Sequence, residues 1–365
     1  MTLSIYIAKR FLGAFLTVFA GFFLLMYLID MVEQIRRFAS ANLSLAATAE
    51  LALMNVPQTV YRILPMIAIL ASIAFFLSLA RSSEMVVIRA AGRSALRMLI
   101  APLTTALLIG AFAVAVVNPI VAGTAKRYDV LAGQYRAGDG NILSITREGL
   151  WLRQGAPEGQ TVIRAARSNF DGTTLYDASF ITFDAEGSPR SRLDAAEARL
   201  DDGAWILTNA KEWRFDTGLN SEAASETHGQ FSLASDLTAD QIRDSFGTPS
   251  TIPVWDLPAF ISGLERAGFS ARKHSVWYQM ELALPLLMMA MVLVGAGFTM
   301  RHARSGRTGI MVLAAVISGF AIFLLRNFAQ VLGENGQIPV MLAAWSPPIA
   351  AALLSLSLVL HLEDG

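Results

Sequence analysis

Residues 81–94, RSSEMVVIRAAGRS, set one carboxylate, Glu84, among Arg81, Arg89 and Arg93, with Met85, Val86, Val87 and Ile88 crowded between them. An acid beside a small apolar face can dock into a groove on a partner protein. The same pattern can also lie on an anionic lipid surface through its arginines, so two readings stand. A second group of cations lies elsewhere: the doublet Arg36-Arg37 in MVEQIRRF, Arg62 ahead of Pro65, and Arg326 in FLLRNFAQVLG. Guanidinium groups bind phosphate through paired donors, so several at one depth would form a phosphate-binding rim. Against that, the doublet also reads as a solvated helix end. Arg326 also reads as a snorkelling side chain or as the partner of Glu281.

Catalytic chemistry is hard to find. No lysine follows a glycine, so the phosphate-cradling GxxxxGK[ST] loop is absent and any ATP, with its Mg²⁺, is expected on a separate ATPase. There is no HExxH and no GxSxG, and the four histidines (228, 274, 302 and 361) are scattered. Cysteine is absent, which removes disulfides and thiolate metal sites. We therefore expect a non-enzymatic chain without cofactors of its own.

The elements that carry these residues are long apolar runs. A helix needs roughly 20 apolar residues to cross a hydrocarbon core about 30 Å thick. Six runs qualify, near 11–30, 59–80, 97–121, 276–299, 308–331 and 338–360. Lys9 and Arg10 precede the first, but its length and the charges that follow it argue for a span rather than a cleaved leader. Gly295 and Gly297 in LVGAGFTM read as helix-packing positions. Short-loop cations set orientation. Lys9, Arg10 and the 81–97 and 301–307 loops hold nine, against five at Arg36, Arg37, Arg62, Arg272 and Lys273. Both termini are thus expected in the cytoplasm and the polar middle outside.

That middle, 124–271, holds 21 acids against 14 bases, which argues against nucleic-acid binding. From 149 onward GLWLRQ, QTVIRAARS, TLYDASFITFDAEG, SRLDAAEARL and AWILTNAKEWRFD alternate with period two between turn signals. A sandwich, barrel or jelly roll fits, either with an ordinary core or with a lipid slot inside. DLPAFISGLERAGFSARKH adds an amphipathic helix that returns to the apolar part. The expected domains are 1–123 (three spans with an inner helix at 81–97), 124–271 (all-β) and 272–365 (three spans).

RSSEMVVIRAAGRS, in this order of elements, resembles the coupling segment of the lipopolysaccharide-export permeases, the LptF/LptG (YjgP/YjgQ) family. NVPQTVYRILPMIAILAS, EGLWLRQG and the short tail after the last span are closer to its LptG branch. The resemblance covers nearly the whole chain. It implies a polytopic α-helical inner-membrane protein of six transmembrane helices with an inserted periplasmic jelly-roll-like domain. It also implies an LptF-like sister permease, an LptB-like ATPase dimer, an LptC-like single-span protein and a periplasmic LptA-like bridge. Glu84, flanked by Arg81, Met85, Ile88 and Arg89, would contact the ATPase. Arg36 and Arg37 match a basic pair that contacts lipopolysaccharide phosphates, and Arg62 and Arg326 would complete the rim. Two family cations are replaced near Asp30 and at Gln58.

The function so implied is extraction of lipopolysaccharide from the outer leaflet of the inner membrane and its delivery to the bridge. Three rivals differ in class. One is a mechanotransmission subunit that moves no lipid through its spans, another a lipid-modifying enzyme, and the third an inert scaffold.

Overall fold

The computed structural model describes residues 2–39, 43–82, 84–85, 94–135, 143–146, 149–156, 159–169, 172–184, 186–201, 203–215, 221–235, 237–238, 242, 248–266, 270–300 and 308–364. In chain order these form α1 (Thr2–Arg37), α2 (Leu45–Arg62), α3 (Leu64–Arg81), α4 (Ala95–Phe112), a π-helical segment (Ala113–Val117) and α5 (Asn118–Tyr135). Seven strands follow: β1 (Leu143–Thr146), β2 (Gly149–Ala156), β3 (Gly159–Ser168), β4 (Thr174–Asp184), β5 (Pro189–Asp201), β6 (Ala204–Arg214) and β7 (Glu226–Ala234). The remaining helices are α6 (Leu257–Arg266), α7 (Arg272–Leu282), α8 (Leu284–Thr299), α9 (Thr308–Glu334) and α10 (Val340–Asp364). Two compact units result: Met1–Tyr135 with Ser250–Trp255 and Arg272–Gly365, and Arg136–Pro249 with Asp256–Ala271.

In the first unit, α2 and α4 start on serine caps. Ser44 Oγ accepts the Ala47 N–H at 3.2 Å and Ser94 Oγ the Arg97 N–H at 3.3 Å. The run expected to span 59–80 is divided at Ile63, and Pro65 lies in the first turn of α3, where its missing N–H costs nothing. Pro285 occupies the same position in α8, and α7 meets α8 at 52°. Five helices among the described residues are long and apolar enough to cross a membrane, or six if α7 and α8 form one bent span. The third continues to Ala132, because Val121, Ala122, Ala125, Tyr128 and Ala132 keep one face of α5 buried; helix therefore runs past residue 123 to Tyr135.

The core of this unit is α8, buried on nearly all sides against α3, α4 and α10. A helix apolar all round needs neighbours all round. Here α8 meets α3 at Gly295, where an added Cβ would sit 2.6 Å from Ser72 Oγ and 3.3 Å from the Ile69 carbonyl oxygen. Ser72 itself donates to the Val292 carbonyl at 3.0 Å, so the two backbones are joined by a polar contact as well as by shape.

The second unit is one antiparallel sheet in the order β1 to β7, each strand paired with its sequence neighbours. Among the described strands the topology is an up-and-down meander, which gives the separate antiparallel β domain expected; its jelly-roll-like form rests on the resemblance. Short turns such as Gly187 (φ +86°) and Gly203 (φ +81°) join consecutive strands directly.

The meander nonetheless curls. Inward positions run Ile163, Ala165, Ser168 in β3; Leu175, Ala178, Phe180 in β4; Leu193, Ala195, Ala198 in β5; and Trp205, Leu207, Ala210 in β6. In each of these four strands the two-residue period slips once to three. The slips align, because the four registers skip Ala166, Asp177, Ala196, Asn209 and Gly229 at matching levels. Asp177 (φ +51°) and Asn209 (φ +52°) take the left-handed conformation these two residue types tolerate. The sheet is thus creased along one line and folds around its apolar face. β2 and β7 lie five strand spacings apart, about 24 Å in a flat sheet. Gln154 of β2 nevertheless donates to the Ala234 carbonyl at 3.2 Å and accepts from the Trp205 indole at 3.1 Å. Leu264 of α6, with Ile242, closes the apolar cluster inside.

Gly295→Ala should destabilise the detergent-solubilised protein by about 1–3 kcal/mol, read as a lower melting temperature, because the added methyl overpacks a rigid contact. Adding Ser72→Gly should restore part of the loss. An unchanged melting temperature in Gly295→Ala would show that α3 and α8 are not in close contact.

Candidate functional site

A polar cavity of about 270 Å³ opens among the end of α2, the α7–α8 bend and α9, lined by Tyr61, Arg62, Trp277, Glu281, Arg326, Asn327 and Gln330. At roughly 30 Å³ per water it has room for several waters or a phosphate group. The Tyr61 hydroxyl donates to Glu281 Oε2 at 2.5 Å. Asn118, first residue of α5, is within hydrogen-bonding reach of both, and its Oδ1 accepts the Val254 N–H at 2.9 Å. A direct Arg326–Glu281 ion pair, one of the alternative readings of Arg326, does not form: Tyr61 occupies the carboxylate, and Glu281 acts on the guanidinium through space. Arg326 is 9% exposed and makes no hydrogen bond or ion pair among the described residues. The Trp277 indole N–H is likewise buried without an acceptor. Glu281 offsets the buried charge only through space, and donors of Arg326 and Trp277 stay open, so the cavity suits an anion or water.

Beside it lies an apolar cavity of about 660 Å³, walled by Phe15, Phe19 and Phe23 of α1, Leu108 and Phe112 of α4, and Val117 of the π-helical segment. Tyr61 lines both cavities. A cation-rich chamber and a hydrocarbon chamber with a common wall suit an amphiphile that carries an anionic head.

Arg36 and Arg37 do not line either cavity. Arg36, 79% exposed, binds both carboxylate oxygens of Glu33 at 2.8 and 3.0 Å. Arg37 donates to the Tyr128 hydroxyl at 3.1 Å, which donates to Gln34 Oε1 at 3.1 Å. Gln34 donates to Asp30 at 3.2 Å, and Asp30 accepts from Asn55 at 2.7 Å. One polar chain therefore ties α1 to α2 and α5. The two departures from the family pattern have structural work: Asp30 anchors this chain, and Gln58 donates to Ser250 Oγ at 2.7 Å. Of the four expected phosphate-binding arginines, the fold brings Arg62 and Arg326 together and leaves the doublet apart.

At the other end of α1, Arg10 grips Glu84 in an ion pair. The Tyr6 hydroxyl donates to the same carboxylate at 3.2 Å, and Arg10 donates to Tyr6 at 2.9 Å and to Ser78 at 3.0 Å. The spacing of Tyr6 and Arg10 puts both on one helical face. The Arg10 hydrogen bond holds the Glu84 carboxyl below its ordinary value of 4.5. Met85 is buried in the helical core. Arg81 is exposed beside an open groove that Arg10, Ser78 and Ser82 also line. Ile88 and Arg89 lie outside the described residues. The sequence reading took Arg10 only as an orientation-setting cation. Its place as the partner of Glu84 depends on α1 packing against α3.

Arg10→Ala should speed hydrogen exchange at Glu84 and Met85 several-fold, and an Arg10→Glu, Glu84→Arg exchange should restore protection. Because the carboxyl is depressed, the ion pair holds at neutral pH and is lost only as pH falls through a value below 4.5. Loss of protection on raising pH from there to neutrality would contradict it.

The family model for the lipopolysaccharide export system permease LptF/LptG matches residues 5–361. The lipopolysaccharide export system permease protein LptG of Haemophilus influenzae is 24% identical over 360 residues, 95% of each chain. That of Escherichia coli K12 is also 24% identical, over 95% of this chain and 94% of its own. With the match extending from α1 into α10, this chain belongs to the LptF/LptG family of lipopolysaccharide export permeases.

Proposed function

We propose that this membrane component of lipopolysaccharide export is the LptG-type half of the permease. In this reading it has six spans, counting α7 with α8 as one, with both termini in the cytoplasm and the curled sheet in the periplasm as half of a jelly-roll slot. It lifts lipopolysaccharide from the outer leaflet of the inner membrane and passes it to a periplasmic LptA-like bridge. An LptF-like sister chain completes the cavity, an LptC-like single-span protein adjoins it, and an LptB-like ATPase dimer binds the nucleotide and Mg²⁺.

The observation that carries the reading is Arg326, which has no hydrogen bond or direct ion pair among the described residues and is joined by Arg62 in a polar cavity that shares the Tyr61 wall with an apolar one. A lipid A phosphate would answer the open guanidinium, and acyl chains would lie against Phe15, Phe19 and Phe112. Arg36 and Arg37, at the end of α1, meet a second phosphate after exchange from Glu33 and Tyr128. Each methylene withdrawn from an apolar environment costs about 0.8 kcal/mol, so a lipid with several chains leaves the bilayer only with work supplied from outside.

That work enters at Glu84. The ATPase engages the segment 81–97 through Glu84, Arg81, Met85, Ile88 and Arg89, and Arg10 passes its movement into α1. A helix of 36 residues reaches about 54 Å, so a shift at Arg10 is felt at the phenylalanine wall and at Arg36 and Arg37.

In proteoliposomes holding the full complex, Arg62→Ala and Arg326→Gln should each cut ATP-driven lipopolysaccharide release at least about fivefold while leaving assembly intact, as loss of a charge-assisted hydrogen bond would. Unchanged release in both would remove the headgroup role and favour a subunit that moves no lipid through its spans. Glu84→Ala should lower ATPase co-purification or uncouple hydrolysis from release. Normal assembly and export in that variant would overturn the docking role.

A further inference from the structure

On β6 and β7, Glu212 and Glu226 stand directly opposite each other, and His228 lies two residues beyond Glu226 on the same face of the sheet, Glu226 at its exposed end. Like charges directly opposed in a sheet repel. Arg214 answers only one of them, pairing with Glu212 at 3.1 Å. Glu212 is 7% exposed, and buried acids are seldom tolerated without full compensation. His228 Nε2 is buried and makes no hydrogen bond, 3.5 Å from Glu212 Oε2 and 3.8 Å from Glu226 Oε2. The ring of Phe231, 5.1 Å away, supports the imidazole from the side.

We propose that Glu212, Glu226 and His228 form a binding site for a divalent transition-metal cation of the zinc class. One ligand atom from each lies within 4.8 Å of the others. Tetrahedral zinc with bonds of about 2.0–2.1 Å requires neighbouring ligand atoms roughly 3.3 Å apart. The two histidine–carboxylate separations are already within half an ångström of that, and small side-chain rotations close the third. The cation would neutralise the opposed carboxylates and use the histidine nitrogen left open, with a fourth position free for water. Arg214 would stay on Glu212 as an outer partner, as ligating carboxylates commonly require. The imidazole selects zinc-like ions over magnesium and calcium, which prefer all-oxygen shells. Because β7 is the last described strand of the sheet, the ion would clip that strand to β6.

The test is calorimetric titration of the full-length, metal-stripped protein in nanodiscs with zinc chloride. One saturable equivalent should bind, and excess magnesium or calcium should not displace it. Glu226→Gln, at an exposed position that leaves the core untouched, and His228→Ala should each weaken that equivalent roughly tenfold or more. Zinc should also slow hydrogen exchange in β7 of the unmodified protein and not of the variants. Absence of a saturable equivalent overturns the proposal, as does one that survives both substitutions or yields equally to calcium.

Discussion

The Tyr61–Glu281 hydrogen bond is the fixed point of the helical unit. Each partner, together with Asn118, sits within two residues of a place where regular helix fails: Ile63 between α2 and α3, Ala283 between α7 and α8, and the π-helical segment before α5. Free backbone groups in an apolar bundle survive only where protein or an enclosed polar space receives them. Three irregularities gathered around one short hydrogen bond therefore make a polar pocket inside a greasy one. The prolines at 65 and 285 start the helices that leave this point, and the pocket opens on Arg62 and Arg326.

From that point the helices divide by burial. α8 is enclosed and fixes the geometry of α3 through the Gly295–Ser72 contact, whereas α1 and α9 keep long apolar faces exposed, among them Leu24, Leu28, Leu313, Ile317 and Phe328. Arg10 near one end of α1 binds Glu84, and Arg37 at the other binds Tyr128. A long helix held at both ends by polar contacts, yet apolar between them, can move as a body without unmaking its own backbone bonds.

The β unit solves a different problem. A seven-stranded meander of ordinary twist would expose a broad apolar face. An aligned slip in the alternation of β3 to β7 bends those strands together, and Leu152, Phe180, Leu193 and Trp205 are buried in one cluster. On the same face as this apolar interior lie buried Glu212 and half-buried His228, with Glu226 exposed beside them. A titratable group in such a place must be matched by a charge, and Arg214 supplies one only in part.

Much of this was legible in the residues alone. Apolar runs of sufficient length, the excess of arginine on one set of loops, and strands alternating between turn residues follow from local chemistry and need no knowledge of neighbours. Gly295 was readable as a packing position for the same reason. What the residues could not decide were distances between elements far apart in the chain. Nothing near Arg10 names Glu84, 74 positions away, as its partner. Nothing near Arg326 tells that Tyr61 has taken Glu281. The sheet's crease hides in the sequence because a single three-residue step within an alternating strand looks like noise until five strands show it at one level. Periodicity is a property of single elements, while side-chain partnership, burial of charge and curvature belong to their packing, and only the tertiary structure could settle them.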